Sequence, residues 1–86
     1  MGHVLVRYWA AARAAAGVDE ERVEAPDVAS LLAEIRGAHG PQLAAVLSRS
    51  SLLIDGSALG ARDPSSVVLT DSSVVEVLPP FAGGCA

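Results

Sequence analysis

Period-two alternation marks both ends of this 86-residue chain, and a helical period marks its middle. Residues 3–9, His-Val-Leu-Val-Arg-Tyr-Trp, are rich in β-branched and aromatic side chains and predict a strand. Alternation puts Val4, Val6 and Tyr8 on one face and Leu5, Arg7 and Trp9 on the other. The first set is assigned to the core, because Arg7 is the costly side chain to bury. A register one residue off would send Trp9 inward instead, and alternation alone leaves both open. The alanine-rich residues 10–17 predict a helical turn stopped by Gly17. Residues 21–25 predict a second short strand, with Arg22 and Glu24 on one side and Val23 on the other. A turn over residues 17–19 would make the first two strands a hairpin-like pair.

Asp27, after Pro26, is a natural N-cap, and Leu31, Leu32 and Ile35 come next at core-facing helical spacing. Gly37 or Gly40 ends that helix. Residues 41–47 start a second short helix, with Leu43, Val46 and Leu47 apolar. Residues 51–55 predict a third strand closed by the turn signal Asp55-Gly56. Val67-Val68-Leu69 is a candidate fourth strand. Asp71-Ser72 turns the chain into the last strand, residues 73–78. The fold class expected is α+β, with a mixed sheet of four to five strands packed on one main helix plus a short helix. Residues 1–78 form the domain and residues 79–86 a flexible tail.

Composition narrows the function. Net charge is −4 and the six arginines are scattered, so the clustered basic surface that nucleic acid requires is absent. Lysine is absent altogether, which leaves no side-chain amine to acylate. The single cysteine, Cys85, excludes an internal disulfide and a cysteine-based zinc site, and no metal site is expected. Nothing resembles a signal peptide or a membrane span of roughly 20 apolar residues, so the cytoplasm is the simplest compartment.

The interior offers little catalytic chemistry. His3 and His39 are far apart in sequence, and neither has an evident carboxylate partner; both are read as structural or solvated. The acidic run Asp19, Glu20, Glu21 and Glu24 is read as a solvated turn and strand edge, with docking to a basic partner as the lesser alternative. No G-x-S-x-G elbow and no phosphate-cradling glycine motif occurs.

The tail is different. After Leu78 come Pro79-Pro80-Phe81-Ala82-Gly83-Gly84 and then Cys85-Ala86. Proline cannot continue a ladder, and the six steps from Leu78 to Gly84 extend roughly 20 Å, long enough to enter another protein's active site. Two glycines in series thread a narrow slot, and the prolines lower the entropy lost on docking. Phe81 is a large apolar side chain that a partner is expected to bury.

The segments Val6-Arg7-Tyr8-Trp9-Ala10-Ala11-Ala12-Arg13 and Val77-Leu78-Pro79-Pro80-Phe81-Ala82-Gly83-Gly84 resemble the MoaD group of ubiquitin-like sulfur carriers, in the MoaD/ThiS superfamily. Leu53-Ile54-Asp55-Gly56 fits that family's third strand and turn. The resemblance spans residues 3–84 and implies a β-grasp fold and a carrier with no catalytic residues and no bound cofactor of its own. It implies that an adenylating, E1-like activating enzyme uses ATP to activate the carboxylate of Gly84. A sulfur donor then converts that carboxylate to a thiocarboxylate. The large subunit of molybdopterin synthase accepts the tail, and sulfur passes into molybdenum cofactor biosynthesis. Gly83 and Ala82 give access, and Phe81 with Pro80 anchors the tail. Leu5, Arg7, Trp9 and Arg13 are the candidate partner surface.

Cys85-Ala86 departs from the family pattern, because an amide-linked Gly84 has no carboxylate to adenylate. A hydrolase, expected to be a metalloprotease, would cut after Gly84 and before Cys85. Two alternatives stay open: the extension is incidental, or the Cys85 thiol itself carries sulfur. Alternative functions are a sulfur carrier for cysteine or another metabolite, a β-grasp interaction module that never acquires sulfur, and a ubiquitin-like modifier of other proteins.

Overall fold

The computed structural model describes residues 2–79 of the chain. Strands are β1 (Gly2–Tyr8), β2 (Glu20–Ala25), β3 (Ser51–Ile54), β4 (Ser57–Ala58) and β5 (Val74–Leu78). Helices are α1 (Ala10–Ala16), α2 (Val28–His39) and α3 (Pro41–Leu47). The sheet order is β2-β1-β5-β3-β4. β1 and β5 are parallel at the centre, and every other pairing is antiparallel. A mixed sheet with helices interrupting its strands is the α+β, ubiquitin-like β-grasp arrangement expected.

Period two decides the strand faces. Val4, Val6 and Tyr8 of β1, Val75 and Val77 of β5, and Leu52 and Ile54 of β3 are all buried. They meet Val28, Leu31 and Ile35 of α2 and Leu43 and Leu47 of α3 in one core. Full burial of a leucine or isoleucine side chain contributes about 2–3 kcal/mol. Trp9 falls outside this core, 42% exposed. That resolves the register: β1 ends at Tyr8, and Trp9 is the residue before α1.

The caps and turns lie where local sequence places them. Asp27 caps α2, its side chain accepting from the Ser30 amide at 2.7 Å. Gly40, rather than Gly37, closes α2. Gly17 ends α1 at φ 80°, a left-handed position where a Cβ would be strained. Asp55 and Gly56 both have positive φ, 51° and 85°, the pair of left-handed residues that closes a two-residue hairpin.

Two expectations are corrected. The first concerns the connection between β1 and β2, which are the expected antiparallel pair. A full helix of seven residues joins them, rather than a helical turn. Seven consecutive residues, six of them alanine, are long enough to close a real helix once Ala12 packs into the core. The second concerns residues 67–69, which do not form a strand; the fourth strand is Ser57–Ala58. Asp63 and Pro64 start a short 3-10 turn over Pro64–Ser66, and the chain then runs beside the entry to α2. Val28 N–H donates to the Val67 carbonyl at 3.1 Å, and Leu69 N–H donates to the Pro26 carbonyl at 2.9 Å. The apolar signal was real, since Leu69 is buried, but its backbone pairs with a loop rather than the sheet.

Candidate functional site

Parallel pairing of β1 and β5 brings their C-terminal ends to one rim of the sheet. Tyr8 stands opposite Val77, and Trp9 N–H donates to the Val77 carbonyl at 3.2 Å. Leu78 and Pro79 therefore leave the sheet beside Trp9. Ala10, next along, adopts φ 50°, a left-handed conformation that costs a non-glycine residue about 1 kcal/mol. That bend lets α1 start at once while Trp9 keeps to the outer side.

Around this rim the outer face of β1 carries a polar cluster. The Arg7 guanidinium lies 5.3 Å from the centroid of the Trp9 ring, within cation–π range, and its Nε is 3.5 Å from Glu20. Trp9 Nε1 donates to Glu76 on β5 at 3.1 Å. Arg13, on α1, faces Asp19 at 3.6 Å. Arg7, Trp9, Arg13, Asp19 and Glu20 line a cleft of about 160 Å³. Three of the four surface residues expected from the sequence thus meet at one place. Leu5, the fourth, is half-buried farther along β1, opposite Val74. Exposed ion pairs of this kind contribute little to stability, so they are free to be exchanged for a partner's charges.

The carboxylates that organise this cluster were not evident from the sequence. Glu76 has no sequence neighbour to announce it; only β1–β5 pairing brings it to Trp9. Asp19 and Glu20 are exposed, as expected, and each also faces an arginine.

Glu21 departs furthest from the expectation of a solvated edge. It alternates with Val23 and Ala25 and so faces inward, a signal that parity on β2 already carried. Its Oε2 accepts from the Tyr8 hydroxyl at 2.5 Å and meets His39 Nε2 at 2.5 Å. The His39 ring stands edge-on to Tyr8, 5.9 Å between centroids. His3 likewise has a carboxylate partner, Glu24, at 3.2 Å. His39 is half-buried and His3 exposed, and each is paired with a carboxylate, which the sequence distance concealed. Burial, then the hydrogen bond and charge of Glu21, raise the Tyr8 phenol above its ordinary pKa.

Among the described residues, no cluster of three or more His, Cys, Asp or Glu side chains is arranged to hold a metal ion. A second cleft, about 300 Å³, opens between Leu32, Leu47, Leu52 and Leu59 and carries no titratable side chain. No helix among the described residues is long and apolar enough to cross a membrane. The tail positions Pro80, Phe81, Ala82, Gly83 and Gly84, and the cut before Cys85, lie outside the described residues.

No protein-family model and no curated protein matches the chain. Solved structures do. Small archaeal modifier protein 1 from Methanosarcina acetivorans is 26% identical with a TM-score of 0.83, covering 98% of each chain. A putative molybdopterin converting factor subunit 1 from Pyrococcus furiosus is 27% identical with a TM-score of 0.73, over 93% of this chain and 99% of that one. The chain is a member of the MoaD-type ubiquitin-like superfamily. A further structure, of subunits 1 and 2 of the molybdopterin-converting factor from Helicobacter pylori in complex, shares the fold at 22% identity. Its TM-score is 0.69, over 94% of this chain and 97% of that one. In this MoaD-type chain the rim that carries Trp9 is also the rim from which the tail departs.

Proposed function

We propose that this chain is a sulfur carrier that delivers sulfur from a thiocarboxylate at Gly84. The observation that carries the reading is the geometry of the rim. The central strand β5 ends at Leu78, and the remaining sequence is Pro-Pro-Phe-Ala-Gly-Gly before Cys85-Ala86. Full-length likeness to the Pyrococcus furiosus converting factor subunit supports it. A dedicated hydrolase, a metalloprotease in this reading, removes Cys85-Ala86 and leaves Gly84 with a free carboxylate. An activating enzyme adenylates that carboxylate with ATP, making AMP the leaving group. A sulfur donor displaces AMP and leaves the thiocarboxylate, which ionises near neutral pH and is a good nucleophile, as a thiolate is. The chain itself supplies no catalytic group; Arg7, Trp9 and Arg13 dock the partner, and the tail enters the partner's site. The large subunit of molybdopterin synthase is the recipient to test first, since the Helicobacter pylori structure holds subunits 1 and 2 together.

A second reading, attachment of the activated Gly84 to other proteins, is favoured by the likeness to small archaeal modifier protein 1. One experiment tests both. Residues 1–84 and 1–86 are mixed separately with an activating enzyme, ATP and a sulfur donor, and intact mass is measured. The shorter chain should exchange oxygen for sulfur and the longer one should not. If residues 1–84 never form an adenylate, both readings fail. If sulfur enters residues 1–86, the processing step fails.

A further inference from the structure

The six basic side chains of the sequence are Arg7, Arg13, Arg22, Arg36, Arg49 and Arg62; lysine is absent. All six are exposed. Local geometry explains three. Arg7 faces Trp9 and Glu20, and Arg13 faces Asp19. Arg62 donates from Nε to the Leu59 carbonyl at 3.1 Å and from Nη2 to the Ala58 carbonyl at 2.7 Å. A planar fork makes such two-point contacts and an ammonium does not. Arg22, Arg36 and Arg49 make no side-chain hydrogen bond or ion pair among the described residues. At those three sites a lysine would serve the fold equally well.

What separates the two cations there is nucleophilicity. A lysine amine loses its proton and attacks acyl carbons, whereas a guanidinium stays protonated. The thiol inventory runs the same way. Cys85 is the sole cysteine and lies just after Gly84. Cleavage that frees Gly84, on the function proposed above, therefore also discards the only thiol. The amine that remains is the backbone α-amine. Gly2 lies about 20 Å along β1 from Tyr8, a span equal to the reach of the tail, so distance alone does not protect that amine.

Resting on that functional reading, we propose that the processed chain is an acyl donor inert toward its own side chains. Its activated Gly84 has no side-chain amine or thiol on any copy of itself to react with. No side chain of another copy accepts it, so no polymer linked through its own side chains forms. The step excluded is aminolysis: an ε-nitrogen attacks the Gly84 acyl carbon and forms a C–N bond. The bond to the leaving group breaks, AMP or a thiol departs, and the nitrogen loses a proton to solvent.

The test uses residues 1–84 prepared as a Gly84 thioester, so that acyl reactivity does not depend on any activating enzyme. Four variants accompany the wild type: Arg22→Lys, Arg36→Lys, Arg49→Lys and the triple combination. Arg49 lies two residues before Ser51, whose strand partner is Leu78, so it is close in register to the end of β5. Circular dichroism is compared with that of the full chain to verify the fold. Every sample is made with an acetylated N-terminus, and in mildly alkaline buffer the wild type should then yield only the hydrolysed acid. The lysine variants should add species lighter than that acid by one water, or dimers lighter than two acids by one water. Covalent dimers of the wild type overturn the proposal. So does a set of lysine variants that only hydrolyse while a free small-molecule amine is captured normally. A parallel arm with activating enzyme and ATP separates the two claims. Failure there, with aminolysis intact in the thioester arm, sinks the carrier reading and leaves self-inertness standing.

Discussion

Tyr8 and Trp9 are adjacent in sequence, and each is an aromatic bonded to a carboxylate beside a cationic or titratable side chain. The structure puts them to opposite uses. Tyr8 is 2% exposed and donates to Glu21, which also meets His39. Trp9 is 42% exposed, donates to Glu76 and lies under Arg7. The same chemistry is worth different amounts on the two sides. Away from water, as at the Tyr8 hydroxyl, a donor without its acceptor retains its full desolvation penalty, whereas at the surface water replaces a lost partner. The inner trio thus ties β1, β2 and the end of α2 together, and the outer cluster remains exchangeable for a partner.

The sharpest way to break that contrast is to remove the inner hub. Glu21→Ala leaves the Tyr8 hydroxyl and the His39 ring without their shared acceptor and should cost about 2 kcal/mol, read from urea denaturation. A loss no larger than that of an outer-face variant would erase the distinction.

Tyr8→Phe removes one bond of the hub and should cost about 1 kcal/mol. Because Tyr8 is the sole tyrosine, its ionisation can be followed by ultraviolet absorbance. The folded state raises its pKa, so the stability this contributes is present below the ordinary tyrosine value of about 10 and is lost as pH rises above it. Tyrosinate absorbance should appear only together with alkaline unfolding. A titration near the ordinary value in the folded protein would contradict the burial of the phenol.

Gly17→Ala forces a left-handed alanine at the end of α1 and should cost about 1 kcal/mol. Since α1 connects β1 to β2 at the rim, thermal melting of this variant gauges how far the rim depends on that helix.

Trp9→Ala sharpens the comparison from the outer side. Stability should change by only about 0.5 kcal/mol, because the ring is partly in water. Binding to a partner subunit, measured by calorimetry, should fall much more than for a substitution at an exposed site away from the rim, such as Arg36→Ala. Equal binding by the two variants would remove the rim from the interface.

Much of this was legible in the sequence. The parity of Val4, Val6 and Tyr8, the Asp27 cap, the Gly17 stop and the Asp55-Gly56 turn all reflect local sterics or period-two patterning. Residues 67–69 were not legible, because an apolar run does not say which backbone it will pair with. Glu21 was half legible: its parity was right, but its place in an acidic run pointed to solvent. Glu76 was not legible at all, since it lies far along the chain from Trp9.

By itself the sequence determined which residues were apolar at which period, where the chain must turn, that no lysine is present, and which residues make up the tail beyond Leu78. These are properties of neighbouring residues and of composition. Only the tertiary structure decided that β1 and β5 run parallel, that Trp9 and the departing tail share one rim, and that His39 meets Glu21. Those contacts join residues far apart in the chain. Pairing between distant strands is set by how whole faces pack, and no local pattern encodes it.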